Sequence, residues 1–329
     1  MTGQRTAAPP SERSQAFAAL VVAGTLWGAT FAAGKLALTQ TGPAWLIVWR
    51  LGLASAVLLP LVPWRRLAAQ WAAGDVGPAD AARVAVGALV AGYIVFVMQV
   101  EGLVRTTASS AALLVAVAPP LLAVGAAVVD GERAGLAAWV AVALSVLGVA
   151  LRVGAPGAGR TLAGDALCVA SMVGAVGWTL LSRRVGLRIG ALPAMALQFA
   201  LGGLLVLPFA LWREGPPPAL SGGPLWAVLF MGVFCTAGTF VLFTWGVMRV
   251  EAARAGVISN IEPVVGSVLG VVLLGETLGP WALAGGALLV AAAVVAVSAP
   301  PDAGSPEPEP PEAAPPKAVS PEALASQPS

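Results

Sequence analysis

Few residues in this chain of 329 have the means to do chemistry, because charged residues make up only 10% of it and histidine is absent. Lack of histidine removes the commonest general base and the commonest metal ligand. Cys168 and Cys235 lie inside apolar runs, so they offer neither a disulfide framework nor a zinc site. No acidic pair stands at ligand spacing, no serine has an evident base, and no phosphate-cradling loop is present. The expectation is a protein with no catalytic residues, no cofactor and no metal. What remains is a handful of polar residues set in apolar sequence: Trp27, Lys35, Arg50, Gln99, Asn260 and Glu262. The chemistry open to them is recognition, by charge pairing, hydrogen bonding and proton uptake.

The surrounding elements follow from composition. Hydrophobic residues make up 58% of the chain, against about 45–50% in soluble proteins, and the mean hydropathy is +0.87. With 18 basic and 16 acidic residues, no polybasic surface points to nucleic acid. These values predict an all-α integral membrane protein set in a lipid bilayer. A crossing helix needs about 20 mostly apolar residues. Ten such runs are present, near 15–38, 44–62, 82–103, 107–129, 135–153, 163–182, 190–212, 224–248, 253–274 and 280–299. Residues 1–14 read as a cytoplasmic N-terminal tail. Residues 300–329, rich in proline and glutamate, cannot bury a core and read as a disordered acidic tail.

Ten spans put both ends of the chain on one side of the membrane. With the N-terminus inside, the inner segments hold twelve arginines and lysines, Arg65, Arg133 and Arg184 among them. The outer segments hold four, Arg105, Arg152, Arg160 and Arg213. That imbalance predicts a multi-pass protein of the cytoplasmic membrane with both termini in the cytoplasm.

The strongest signal is an internal repeat. Residues 102–135 slide by 144 positions onto 246–279 without a gap, matching Gly102 to Gly246, Arg105 to Arg249, Pro119 to Pro263 and Gly131-Glu132 to Gly275-Glu276. Trp27 is echoed by Trp178. Two units of five spans, 15–153 and 162–299, then run in opposite senses, because five is odd. Inverted repeats of this kind build secondary transporters, with the solute site near the midplane.

The repeat sorts the polar residues. A charge at the centre of a span costs at least about 2.5–3.5 kcal/mol on insertion scales, so it marks a solute or ion path by default. Glu262 stands about nine residues into the ninth run, roughly 14 Å deep at 1.5 Å per residue. Its repeat partner is Ala118, and this asymmetry favours function over scaffold. The plainer reading is a carboxylate paired with a neighbouring helix or capping backbone freed by Pro263. Arg50, about seven residues into the second run, either binds an anionic group or snorkels outward. Lys35, nearer the end of the first run, is expected to snorkel. Glu101 and Arg105 form an i,i+4 ion pair, with Gln99 and Asn260 close to a polar path. Trp27 either lines a cavity or packs. Glu132 and Glu276, each after a glycine and before a helix, read as structural caps, while Pro119 and Pro263 read as kinks beside a cavity.

Trp27-Gly28-Ala29-Thr30-Phe31 with Lys35, Arg50 with Ala54, Thr107-Ala108-Ser109-Ser110-Ala111 with Pro119 and Gly131-Glu132, and Asn260-Ile261-Glu262-Pro263 running to Leu274-Gly275-Glu276 together resemble the EamA domains of the drug/metabolite transporter superfamily. The resemblance covers residues 15–299 as two tandem units. It implies ten helices in inverted repeats and export of small metabolites. Opposite charges at Arg50 and Glu262 suit a zwitterionic or weakly anionic, amino-acid-like solute, with possible proton coupling at Glu262. The alternative is a lipid-linked carrier flippase or a structural membrane protein.

Overall fold

Long runs of alanine, valine and leucine leave the backbone one way to satisfy its polar groups in an apolar setting, which is the helix. Every regular element among the described residues is helical. The structure, a computed structural model, describes residues 10–130, 135–154, 159, 161–247, 249 and 260–298. Glu132, Arg133, Gly157, residues 1–9 of the expected 1–14 tail and the expected tail at 300–329 lie outside them, while residues 10–14 of the first tail already belong to a helix.

Helix α1 runs Pro10–Ala37, and α2 runs Pro43–Leu58 before a 3-10 turn to Leu61. The short α3 is Trp64–Ala72. Helix α4 (Pro78–Leu89) passes through a π-helical stretch, Val90–Val97, into α5 (Met98–Arg105). Helix α6 (Ala108–Leu114) passes through a 3-10 turn, Val115–Val117, into α7 (Ala118–Asp130). Then come α8 (Leu136–Gly154), α9 (Leu162–Ile189) and α10 (Ala191–Glu214). Helix α11 (Gly222–Gly232) passes through a second π-helical stretch, Val233–Gly238, into α12 (Thr239–Val247). Helices α13 (Ile261–Leu274) and α14 (Pro280–Ser298) close the described chain.

Each expected span falls on helix, but not all reach crossing length. Seven stretches are long and apolar enough: Ser14–Ala37, Pro43–Leu61, Pro78–Arg105, Ala108–Gly125, Leu162–Ile189, Ala191–Glu214 and Gly222–Val247. Leu136–Leu151, Ile261–Leu274 and Pro280–Ala296 are shorter apolar helices. For the ninth expected span the described helix begins only at Ile261, since residues 250–259 lie outside the described set. The third begins four residues before the expected 82. Pro78 opens the helix, and the Asp80 carboxylate accepts from the Gly77 N–H at 3.2 Å, a start signal that the apolar run does not carry. Helix α3 falls in a stretch expected as loop. It exposes Trp64 and Trp71 beside Arg65 and Arg66, the pattern of a helix that lies in a membrane interface.

Small residues set the helix crossings, as they do where apolar packing alone must hold helices together. A Cβ on Gly102 of α5 would stand 2.9 Å from the Gly164 carbonyl and 2.7 Å from Cys168 Sγ on α9. Its counterpart Gly246 on α12 presses against α1 in the same way, with the Ala16 carbonyl 3.2 Å from the same ideal position. Helices α8 and α14 meet where a Cβ on Gly148 would stand 2.9 Å from the Gly285 carbonyl. Leu46, Ile47, Leu51 and Phe199, on α2 and α10, are among the buried side chains of the largest apolar cluster.

Candidate functional site

Arg50 is the most constrained polar residue of the interior. It stands on α2, the residue is only 5% exposed, and its Nε donates to Thr236 Oγ1 at 2.8 Å. Thr236 belongs to the second π-helical stretch and is itself fixed, since its hydroxyl donates to the Met231 carbonyl at 2.8 Å. The guanidinium lies over the Phe96 ring, 4.9 Å from its centroid, and Phe96 belongs to the first π-helical stretch. Arg50 Nη1 is buried with no hydrogen-bond partner among the described residues. The outward snorkel open to this side chain is therefore not the one it takes.

Both π-helical stretches thus touch one guanidinium, one through a hydroxyl and one through a ring. Such π-turns release a backbone carbonyl from the helical ladder and recur at functional sites. They start at Val90 and Val233, 143 positions apart, close to the 144-residue offset of the repeat. Around Phe96, Trp178 and Phe199 meet it edge-on at 6.4 and 6.2 Å between centroids, and Phe240 meets Phe199 at 6.3 Å. The Trp178 indole is held in place: its Nε1 donates to Gln198 Oε1 at 2.8 Å, which also accepts from Ser182 Oγ at 2.9 Å.

Glu262 is half-buried in the first turn of α13, with Asn260, buried, at the helix start. The depth of nine residues into a helix has no counterpart among the described residues. No ion pair within 4.0 Å joins Arg50 to Glu262. Gly28 of α1 lets the α13 backbone come close, since a Cβ there would stand 2.6 Å from the Glu262 carbonyl. Trp27, one residue earlier, is half-buried and stacks on Phe243 at 5.0 Å. Arg50, Thr236 and Phe96 thus come together where α2 meets the two π-helical stretches, while Glu262 stands where α13 lies against α1.

The other sequence candidates lie elsewhere. Lys35 is half-buried in the last turn of α1, within the field of Glu276. Gln99 is half-buried on α5. The Arg105 guanidinium pairs with the Glu101 carboxylate one turn earlier, and Glu101 also faces Arg213 of α10 at 3.1 Å. Glu276 is a cap, but of a distant helix. It accepts from the N–H groups of Ala108 and Ser109 at 2.6 and 2.8 Å, at the start of α6 rather than of the α14 that follows it. Pro119 and Pro263 stand in the first turns of α7 and α13, and a 3-10 turn precedes Pro119.

Several polar residues were not foreseen. Glu214 accepts from the N–H groups of Ala44 and Trp45 at 2.8 and 3.0 Å, capping α2 as Glu276 caps α6. Asp165, fully buried, accepts from Thr106 and Ser110 hydroxyls at 2.6 and 2.8 Å. Gln198 and Thr236 sit in uninterrupted apolar runs. A polar side chain inside such a run was the signal available for both.

Residues 15–154 and 162–298 match the EamA-like transporter family. An uncharacterized inner membrane transporter of Salmonella typhimurium, YicL, is 29% identical over 211 residues, covering 62% of this chain and 67% of its own. A probable terminal-alkyne amino-acid exporter of Streptantibioticus cattleyicolor is 29% identical over 285 residues, 84% of this chain and 91% of its own. Among solved structures, one crystal structure superposes with a TM-score of 0.56 at 23% identity, over 86% of this chain and 96% of the other. A likeness at that identity speaks for the fold alone.

Proposed function

The chain belongs to the EamA-like transporter family, and on that premise we propose that it is a secondary transporter exporting small metabolites, amino-acid-like or otherwise amphipathic, by alternating access. The observation that carries this reading is Arg50, buried among apolar helices and held by Thr236 and Phe96 of the two π-helical stretches, with a second ionisable residue, Glu262, in the first turn of α13. Such residues are expensive in a membrane and stay where a solute or ion passes. The family membership and the transporter relatives support it. We place the protein in the cytoplasmic membrane with both termini inside, on the basic-residue imbalance.

The mechanism follows from the repeat. Gly102 of α5 against α9 and Gly246 of α12 against α1 are crossings that match across the two sequence units, which supports two inverted five-helix repeats rocking about a shared site. Glu262 is the proposed proton carrier, releasing its proton when the site opens to the less acidic side. Efflux of a metabolite panel from cells with and without the protein tests the reading. Faster loss of one or more soluble metabolites is expected, and no change for any of them overturns it.

A second reading, a lipid-linked carrier flippase, draws on an apolar groove of about 640 Å³ between α13 and α14, lined by Leu113, Val264, Val268, Val271, Gly286 and Val290. Its walls would suit a lipid chain. Flipping of a labelled polyprenyl carrier, with no soluble metabolite moved, would favour it.

A further inference from the structure

We propose that Arg50 is the carboxylate anchor of the transported solute, with Thr236 as the residue that positions it and Phe96, Trp178 and Phe199 as the wall for the solute's apolar part. The proposal rests on the transporter reading and deepens it to a subsite.

One hydrogen bond is left unmade: Arg50 is 5% exposed, yet its Nη1 has no partner among the described residues. A buried charged donor left unpaired is costly, and a hydrogen bond from a charged donor is about twice as strong as a neutral one. Native interiors satisfy such groups, so the exceptions call for a cause. Among the described residues no side chain supplies the partner: Thr236 Oγ1 is engaged with Nε and donates to the Met231 carbonyl, and Glu262 forms no ion pair with Arg50 within 4.0 Å.

The guanidinium cannot easily turn away either. Thr236 grips its Nε edge and the Phe96 ring lies against its face at 4.9 Å. A planar fork held on one edge and one face presents its remaining N–H groups in a fixed direction, the arrangement that suits a carboxylate. Glu262, when ionised, selects further: a carboxylate in the same apolar interior works against a dianion such as a phosphate ester and favours a solute that carries a positive group beside its carboxylate. The flank is aromatic and rigid: Phe96 meets Trp178 and Phe199, and Gln198 fixes the indole. Such a wall takes an apolar side chain at little entropic cost.

The test uses the purified full-length chain in lipid vesicles, with intrinsic tryptophan fluorescence reporting binding and vesicle efflux reporting transport. The probes are norvaline, its amide, in which the carboxylate is neutralised, and its N-acetyl derivative, in which the ammonium is neutralised. Norvaline is expected to bind at least about tenfold more tightly than its amide. Arg50→Gln should bring the acid and the amide to equal affinity while leaving the preference over the N-acetyl form. Thr236→Val should narrow the acid-over-amide ratio without abolishing it.

A purely structural Arg50 predicts something else: all three probes weakened alike, or none changed, with the acid-over-amide ratio kept. Either result overturns the proposal. If Arg50→Gln does not reach the membrane, Arg50→Lys decides, since it keeps the charge but not the fork. A reduced acid preference is expected there, and an unchanged ratio overturns the proposal. Equal binding of acid and amide by the unmodified protein overturns it directly. If the wider metabolite panel is exported while norvaline and its amide are handled alike, the subsite falls and the transporter reading stands. If nothing is exported yet the acid preference depends on Arg50, the transporter reading falls and the subsite stands.

Discussion

Arg50 and Glu262 both stand in the apolar interior, yet no ion pair within 4.0 Å joins them. Thr236 and Phe96 hold the guanidinium. The Glu262 backbone is held where α13 lies against Gly28 of α1. On the proposed transporter reading, a guanidinium held in this way keeps its remaining N–H groups available to a solute, whereas a closed ion pair would satisfy itself.

The close crossings should respond to a single methyl group. Gly28→Ala and Gly102→Ala place a Cβ 2.6 and 2.7 Å from their nearest neighbours, and each should destabilise the purified protein by about 1–3 kcal/mol. Gly52→Ala and Gly177→Ala have nothing within 4 Å and should be neutral or gain up to about 1 kcal/mol from helix propensity. Melting temperatures in one detergent check this. Equal melting for all four variants would contradict the packing described.

Two carboxylates should prove to be structural. Glu214→Ala and Glu276→Ala each remove an acceptor shared by two helix-start N–H groups. Each is expected to cost about 1–2 kcal/mol. The same melting measurement applies, and loss of transport with unchanged stability would instead place them on the solute path.

Sidedness is open to labelling. In a background without Cys168 and Cys235, single cysteines at Arg65 and Arg184 should resist an impermeant thiol reagent in intact cells, and one at Pro217 should react. The expectation comes from the basic-residue count. Reaction at the first two would invert the topology.

Removal of residues 302–329 should leave membrane insertion and export nearly unchanged, because the segment is too polar and proline-rich to pack. Export assays of the truncated chain test this, and lost activity would assign the tail a partner.

Much of the architecture was legible because hydropathy reports spans directly, while what each polar group touches was not. Glu276 reads as a cap from its Gly-Glu setting, but its target lies 168 positions away at Ala108, and no local signal names it. Arg50 was singled out by its type and place. Its grip by Thr236 was hidden, since a threonine in an apolar run looks the same facing lipid or facing a guanidinium. The π-helical stretches at Val90–Val97 and Val233–Gly238 left no mark in composition, because a shift in the hydrogen-bond ladder depends on packing. The start at Pro78 was readable from Gly77, Pro78 and Asp80, had capping been weighed above hydropathy.

The central claim is proton-linked transport through the site that holds Glu262, and Glu262→Gln tests it most directly. The substitution keeps size and hydrogen-bonding capacity, so membrane level and melting should match the parent protein. Efflux of a transported metabolite from lipid vesicles should then be measured with and without an imposed pH gradient. The account predicts that the parent responds to the gradient and that the variant does not. An unchanged rate with unchanged pH dependence in the variant would contradict it and return Glu262 to a packing role.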